Sequence, residues 1–148
     1  MRYEEVSKDV LDLASDIQRQ YFSYLVNARI KYLFDTKKVS HGGKLVAAWI
    51  KKTNDVLKFI TGGDLEGYNY VVRIDKLLWE SIEEKDKIKI IRHELRHTYY
   101  DSEADDPFKI VGHDIEDFYA EVEIAEKEGD LRWRERISEI LHSVWDKE

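Results

Sequence analysis

The chain of 148 residues contains no cysteine. That absence removes disulfide frameworks, thiolate metal sites, iron–sulfur clusters and every mechanism built on a cysteine nucleophile. A transition metal, if one is bound, must be held by His, Asp or Glu. Proline occurs once and glycine seven times, too few for a fibrous or low-complexity chain. Long apolar runs are missing too. The longest covers residues 45–50, far short of the roughly 18–20 that span a bilayer. No apolar stretch of a secretory signal follows Met1-Arg2-Tyr3-Glu4-Glu5, so the expected compartment is the cytoplasm and no membrane partner is expected.

Charge is abundant. Asp, Glu, Lys and Arg make up 37% of the chain, while hydrophobic residues stay near normal at 43%, which describes a globular chain with a heavily charged surface. The net charge of −7 argues against general binding to nucleic acid or anionic membrane. The charge is unevenly spread, however. Residues 27–58 carry eight Lys and Arg against Asp35 and Asp55, a net +6. Residues 101–130 carry twelve acids against Lys109 and Lys127, a net −10. Opposite faces that attract across the fold are one reading; a basic segment that touches a polyanion is the other. At this length the expectation is one domain, residues 1–148.

The periodicity predicts an α+β order. Val6, Val10, Leu13, Ile17, Tyr21 and Tyr24 recur at helical spacing and predict an N-terminal helix over 4–27. Two β-rich runs, 30–35 and 44–52, flank His41-Gly42-Gly43 and read as a hairpin. A third β segment covers 68–75, rich in Tyr and Val. Helices are then predicted from Ser81 to Tyr100, from Asp114 to the stop at Gly129, and over 131–145. The expected fold is therefore a small antiparallel or mixed sheet with an N-terminal helix and C-terminal helices.

His93-Glu94-Leu95-Arg96-His97 is an H-E-x-x-H motif inside the second predicted helix. Histidines four residues apart lie about 40° apart around a helix axis, so both imidazoles can reach one ion. Glu94 sits roughly 100° from His93, close enough to draw a proton from water on the metal and poorly placed to be a ligand itself. This is the arrangement that metal-assisted hydrolysis needs. Ile88, Ile91, Leu95 and Tyr99 form a stripe on the other side, so the histidines are expected to face away from the core. A hydrolytic zinc site uses three protein ligands and one open position. His113 is the best candidate for the third, with Asp117 and Glu116 as rivals and Asp114 as the expected N-cap of the following helix. His41 and His142 read as surface residues, and Trp79, Trp133 and Trp145 as packing residues.

The segments Tyr68-Asn69-Tyr70-Val71-Val72-Arg73-Ile74-Asp75, Leu78-Trp79, Ile90-Ile91-Arg92-His93-Glu94-Leu95-Arg96-His97 and Gly112-His113-Asp114-Ile115-Glu116-Asp117-Phe118, in that order, resemble the phage metallopeptidase family. That family consists of compact zincins related at a distance to SprT-like and WLM-type proteases, and the resemblance spans residues 28–128. It implies a zincin-like α+β domain in the cytoplasm of a bacterial host or a prophage-carrying bacterium. His93, His97 and His113 would be zinc ligands, Glu94 the catalytic base, and peptides or proteins the substrates. Position 100 is Tyr and position 103 is Glu, so the metzincin pattern of Gly and His is not met. In a thermolysin-like variant Asp117, Glu121 or Glu123 would stand in as the third ligand. In the zincin reading, residues 68–75 form the sheet edge where an extended peptide adds a strand. Two other readings accompany the peptidase: a non-catalytic, zinc-stabilised binding module of phage origin, and a SprT-like DNA-associated protease using the basic 27–58 segment.

Overall fold

Tyr, Val and Ile fit a pleated, half-buried surface, and the stretches rich in them build the sheet on which the chain is assembled. A computed structural model describes residues 1–62, 67–112 and 119–146. Its elements, in chain order, are β1 (Tyr3–Glu5), α1 (Lys8–Tyr21), a 3-10 turn (Ser23–Leu25), β2 (Ile30–Asp35), β3 (Ser40–His41), β4 (Lys44–Leu45) and β5 (Ala48–Lys52). There follow α2 (Asp55–Gly62), β6 (Tyr70–Asp75), α3 (Lys76–Ser81), α4 (Glu84–Leu95), β7 (Thr98–Tyr100), β8 (Phe108–Ile110), α5 (Tyr119–Glu128) and α6 (Trp133–Trp145). The architecture is the mixed α+β arrangement that the sequence predicts.

Four strands form the main sheet in the order β1-β2-β6-β5. β2 runs parallel to β6, while β1 and β5 are antiparallel to their neighbours. This corrects two expectations. Residues 30–35 and 44–52 are not a hairpin: β6 lies between β2 and β5, and Gly42 and Gly43 close only the small β3–β4 ribbon. Both glycines have positive φ, as a tight turn demands. Nor is 68–75 a sheet edge. β6 is buried at Tyr70, Val72, Arg73, Ile74 and Asp75, and a strand covered on both faces gains most in the interior of a sheet. The edges, among the described residues, are β1 and β5.

Alternation sends Tyr32, Phe34, Ile50, Tyr70, Val72 and Ile74 to one face, where α1 adds Val10, Ala14 and Ile17 and α4 adds Ile91 and Leu95. α4 also contributes Ile90 to a second core made with Leu78, Ile82, Ala125, Trp133, Ile137 and Leu141. The helix is thus wedged between two cores, and its side chains from Lys89 to Leu95 are all buried. His93 does not face open solvent, as the single apolar stripe suggested; Trp133 at the start of α6 packs against it, while His97 is half-exposed.

The opposite sheet face is polar and closed by ion pairs. Arg73, fully buried, donates from Nε to Asp35 Oδ2 at 2.8 Å, from Nη1 to the Val46 carbonyl at 2.8 Å and from Nη2 to the Lys37 carbonyl at 3.1 Å. These bonds draw residues 37–46 across the face. Asp35 also accepts from Arg2 Nε at 2.8 Å. Burial alone would push the Asp35 carboxyl up, but the bonds from Arg2, the Lys37 amide and Arg73 outweigh it and hold it well below the usual carboxylate range.

Two helix boundaries differ from expectation. Residues 3–5 pair with Leu33–Asp35, and this tertiary pairing overrides their helical spacing. The predicted 81–100 helix is one shorter helix and a strand: Ser81 closes α3, Ile82 turns out into extended backbone, α4 begins after Glu83, and β7 follows. Gly129 ends α5 as expected, with φ +69°. Its N–H reaches the Glu126 carbonyl and that of Asp130 the Ala125 carbonyl, a Schellman closure.

Candidate metal centre

His93 sits in the last turn of α4, but His97 lies beyond the helix. Leu95 is the final helical residue, Arg96 keeps right-handed helical dihedrals, and the His97 amide closes a tighter turn onto the Glu94 carbonyl at 3.1 Å. The four-residue spacing therefore survives the helix end. The two imidazole centroids lie 5.7 Å apart with ring planes at 81°. Two imidazoles bound tetrahedrally to one ion at about 2.0–2.1 Å place their centroids about 5 Å apart, so the pair needs only a small closure to share a cation. Imidazole donors suit zinc and its transition-metal neighbours better than magnesium or calcium.

Each ring is held from behind. The His93 ring is buried and meets Trp133 edge-on, with centroids 6.0 Å apart. The His97 Nδ1 lies 2.6 Å from the Val111 carbonyl, and the Val111 amide returns 2.6 Å to the His97 carbonyl. A carbonyl can only accept, so Nδ1 is the donor and Nε2 carries the lone pair of the neutral ring. Burial, and His93 in second degree, pull the His97 pKa down against the opposing pull of the Val111 bond, which favours the neutral imidazole that metal binding requires. Glu94 is buried beside the pair. Its burial pushes the carboxyl up to about 7, against the downward pull of His93 and Arg134.

The β7–β8 hairpin that delivers Val111 is itself anchored. Tyr24 Oη donates to the Thr98 carbonyl at 2.8 Å and Tyr70 Oη to that of Lys109 at 2.8 Å. From the other side, Glu121 of α5 grips the motif helix: its carboxylate is 1% exposed and accepts from Arg92 Nε at 2.7 Å and Arg96 Nε at 2.9 Å. Both oxygens are engaged, so Glu121 is not the stand-in third ligand; Glu123 is exposed on the same helix. Lys89 meets Glu128 at 3.0 Å, and Arg136 pairs with Asp86 and Asp130. Glu121, Glu128 and Asp130 of the acidic segment are thus taken up by cations of α4 and α6, and Lys52–Asp106 at 2.6 Å links it to the basic segment.

His113, Asp114, Glu116 and Asp117 lie outside the described residues. Among the described residues no three His, Asp or Glu side chains come together as a metal site; the His93 and His97 rings are neighbours. His41 is exposed at the end of β3, and His142 is half-exposed beside Asp146. Trp79 and Trp133 are core residues, and Trp145 donates to Asp75 at 2.7 Å. Sequence reasoning missed Val111, Trp133 as a backstop, Arg134 and the Glu121 clamp. For Glu121 a signal existed: Arg92 and Arg96 are one turn apart, an arrangement that calls for a shared carboxylate.

Together these features define a mixed α+β scaffold that presents an H-E-x-x-H histidine pair at the end of a buried helix. The model of the family described as "Putative phage metallopeptidase" matches residues 1–144, and the chain belongs to that family. No curated protein and no solved structure matches it.

Proposed function

We propose that the chain is a zinc-dependent metallopeptidase of zincin type, acting as one domain over residues 1–148. The observation that carries this reading is the His93–His97 pair, 5.7 Å apart with Glu94 buried beside it, in a member of a metallopeptidase family. His93 and His97 would hold the ion through nitrogens whose ring orientation is set by Trp133 and Val111. His113 is the proposed third ligand. It follows Val111 by two residues in the sequence. Asp117, Glu116 and Asp114 are the rivals on the same stretch of chain.

Zinc, when bound, supplies Lewis acidity toward the scissile carbonyl and lowers the pKa of water toward about 7. Glu94 accepts the proton of the attacking water and returns it to the leaving amine. Its burial keeps bulk water from competing for that proton. The substrate strand has a place to add: β5 is a sheet edge among the described residues and lies against α4, so an extended peptide pairing with β5 would pass beside the motif.

The test is expression of three proteins, followed by zinc content and hydrolysis of a mixed quenched-fluorescent peptide library. The intact chain is expected to hold one zinc and cleave. His93→Ala is expected to lose the metal. Glu94→Gln is expected to keep metal and fold but lose at least about 100-fold in rate, the usual worth of a general base. Hydrolysis that survives Glu94→Gln would overturn the assignment.

A further inference from the structure

Much of the basic segment gathers on one surface, the sheet face opposite α4, whereas Lys52 lies on the other face and pairs with Asp106. Register pairs Lys31 with Val71 and Val71 with Lys51, and Leu33 with Arg73 and Arg73 with Trp49. Paired residues share a face, so Lys31, Lys51 and Trp49 stand on the same side as Arg73. The Arg73 bonds to the Lys37 and Val46 carbonyls lay residues 37–46 over that side, which adds Lys37, Lys38 and Lys44. These three and Lys51 are exposed and make no ion pair among the described residues. Lys31 does, with Glu5 at 2.6 Å. In a chain of net charge −7, four unpaired lysines on one face are a local reversal of sign.

Aromatic rings are interleaved with these cations. Lys51 Nζ lies 4.5 Å from the Trp49 ring centroid, and the Arg29 guanidinium 5.0 Å and Lys31 Nζ 6.0 Å from that of Tyr68. Arg29 Nη1 is a buried donor with no partner among the described residues. Trp49 and Tyr68 are only partly covered, so each keeps ring surface to offer.

We propose that this face binds single-stranded nucleic acid. Phosphates would sit on Lys37, Lys38, Lys44 and Lys51, and bases would stack on Trp49 and Tyr68. Cations alone attract any polyanion; cations set against partly open rings on a flat sheet favour unpaired bases, which stack wherever a π-face is available. An acidic polypeptide would satisfy the lysines but leave the rings without a partner. The face lies across the sheet from the candidate metal centre, so the two activities are separable.

The test is fluorescence anisotropy of a labelled 20-nucleotide oligo-dT with the full-length chain at 50 and 200 mM salt. Four phosphate contacts predict a log–log salt slope of about −2.8, and hence about 50-fold weaker binding at the higher salt. Lys38→Gln/Lys44→Gln, at two exposed positions where folding is not at stake, should halve the slope. Trp49→Leu should weaken binding with the slope kept, its fold checked by thermal melting. His93→Ala should bind as the parent does, which separates this proposal from the peptidase reading. No binding at 50 mM salt would overturn the proposal. So would unchanged binding by the lysine pair variant, or equal competition by polyglutamate or by a DNA duplex of the same length.

Discussion

The Glu121 clamp is the feature whose removal should be felt most. Glu121 is 1% exposed and Arg92 is buried with it, joined at 2.7 Å, while Arg96 meets the second oxygen at 2.9 Å. Removing one partner of a buried ion pair strands the other charge, at about 3–5 kcal/mol. A chain of this size holds about 5–15 kcal/mol in all and shifts in Tm by about 2–4 °C per kcal/mol. Glu121→Ala should therefore lower Tm by about 6–20 °C. Arg92→Ala should cost a similar amount, and the double variant distinctly less than the sum, because neither charge is then left alone. Calorimetric melts of the four proteins of this cycle give the coupling. Residues 113–118 leave Gly112 and join α5, so loosening α5 should also weaken zinc retention, read by titration against a chelator of known affinity at a temperature where all four are folded. A coupling below about 0.5 kcal/mol, or a Glu121→Ala melt within about 2 °C of the parent, would refute the reasoning.

Three further outcomes follow from the same structure. Because Asp35 has its pKa depressed in the fold, its contribution is present above the unfolded value of about 3.9 and is lost as pH falls toward the lower folded value. Asp35→Asn should lower stability at pH 7 and flatten the acid limb of a urea-midpoint profile between pH 5 and 2, without abolishing it. Asp130, held low by Arg136 and Lys89, adds to the same limb. An unchanged limb would contradict the assignment. Gly129→Ala forces a side chain into φ +69° and should cost about 1–2 kcal/mol, measured by urea unfolding. Trp133→Ala opens a cavity at a residue 5% exposed, worth about 3–5 kcal/mol. It also frees the His93 ring, so zinc affinity should fall in Trp133→Ala more than in Trp133→Phe.

The motif, the α+β order, the Gly129 stop and the last helix were legible in the sequence because each rests on local physics: spacing around a helix, positive φ, an apolar stripe. What was not legible depends on partners distant in sequence. Tyr3–Glu5 is a strand because Leu33–Asp35 lies beside it, although Val6 and Val10 continue a helical pattern. β6 reads as any Val-rich strand, and nothing local reports that β2 and β5 flank it. The break at Ile82 shows only as a buried side chain joining Trp133 and Leu141. His97 keeps its ligand spacing outside the helix because Val111, fourteen residues away, takes both its ring and its backbone. The acidic stretch reads as one charged face, whereas its Glu121 is buried under Arg92 and Arg96.

X-ray absorption at the zinc edge, on protein loaded with one equivalent of zinc, tests the central claim most directly. The account predicts a four-coordinate shell of nitrogen and oxygen near 2.0–2.1 Å with imidazole scattering from three rings, falling to two in His113→Ala and to a disordered shell in His93→Ala/His97→Ala. A six-coordinate oxygen shell without imidazole scattering, unchanged by these substitutions, would contradict it.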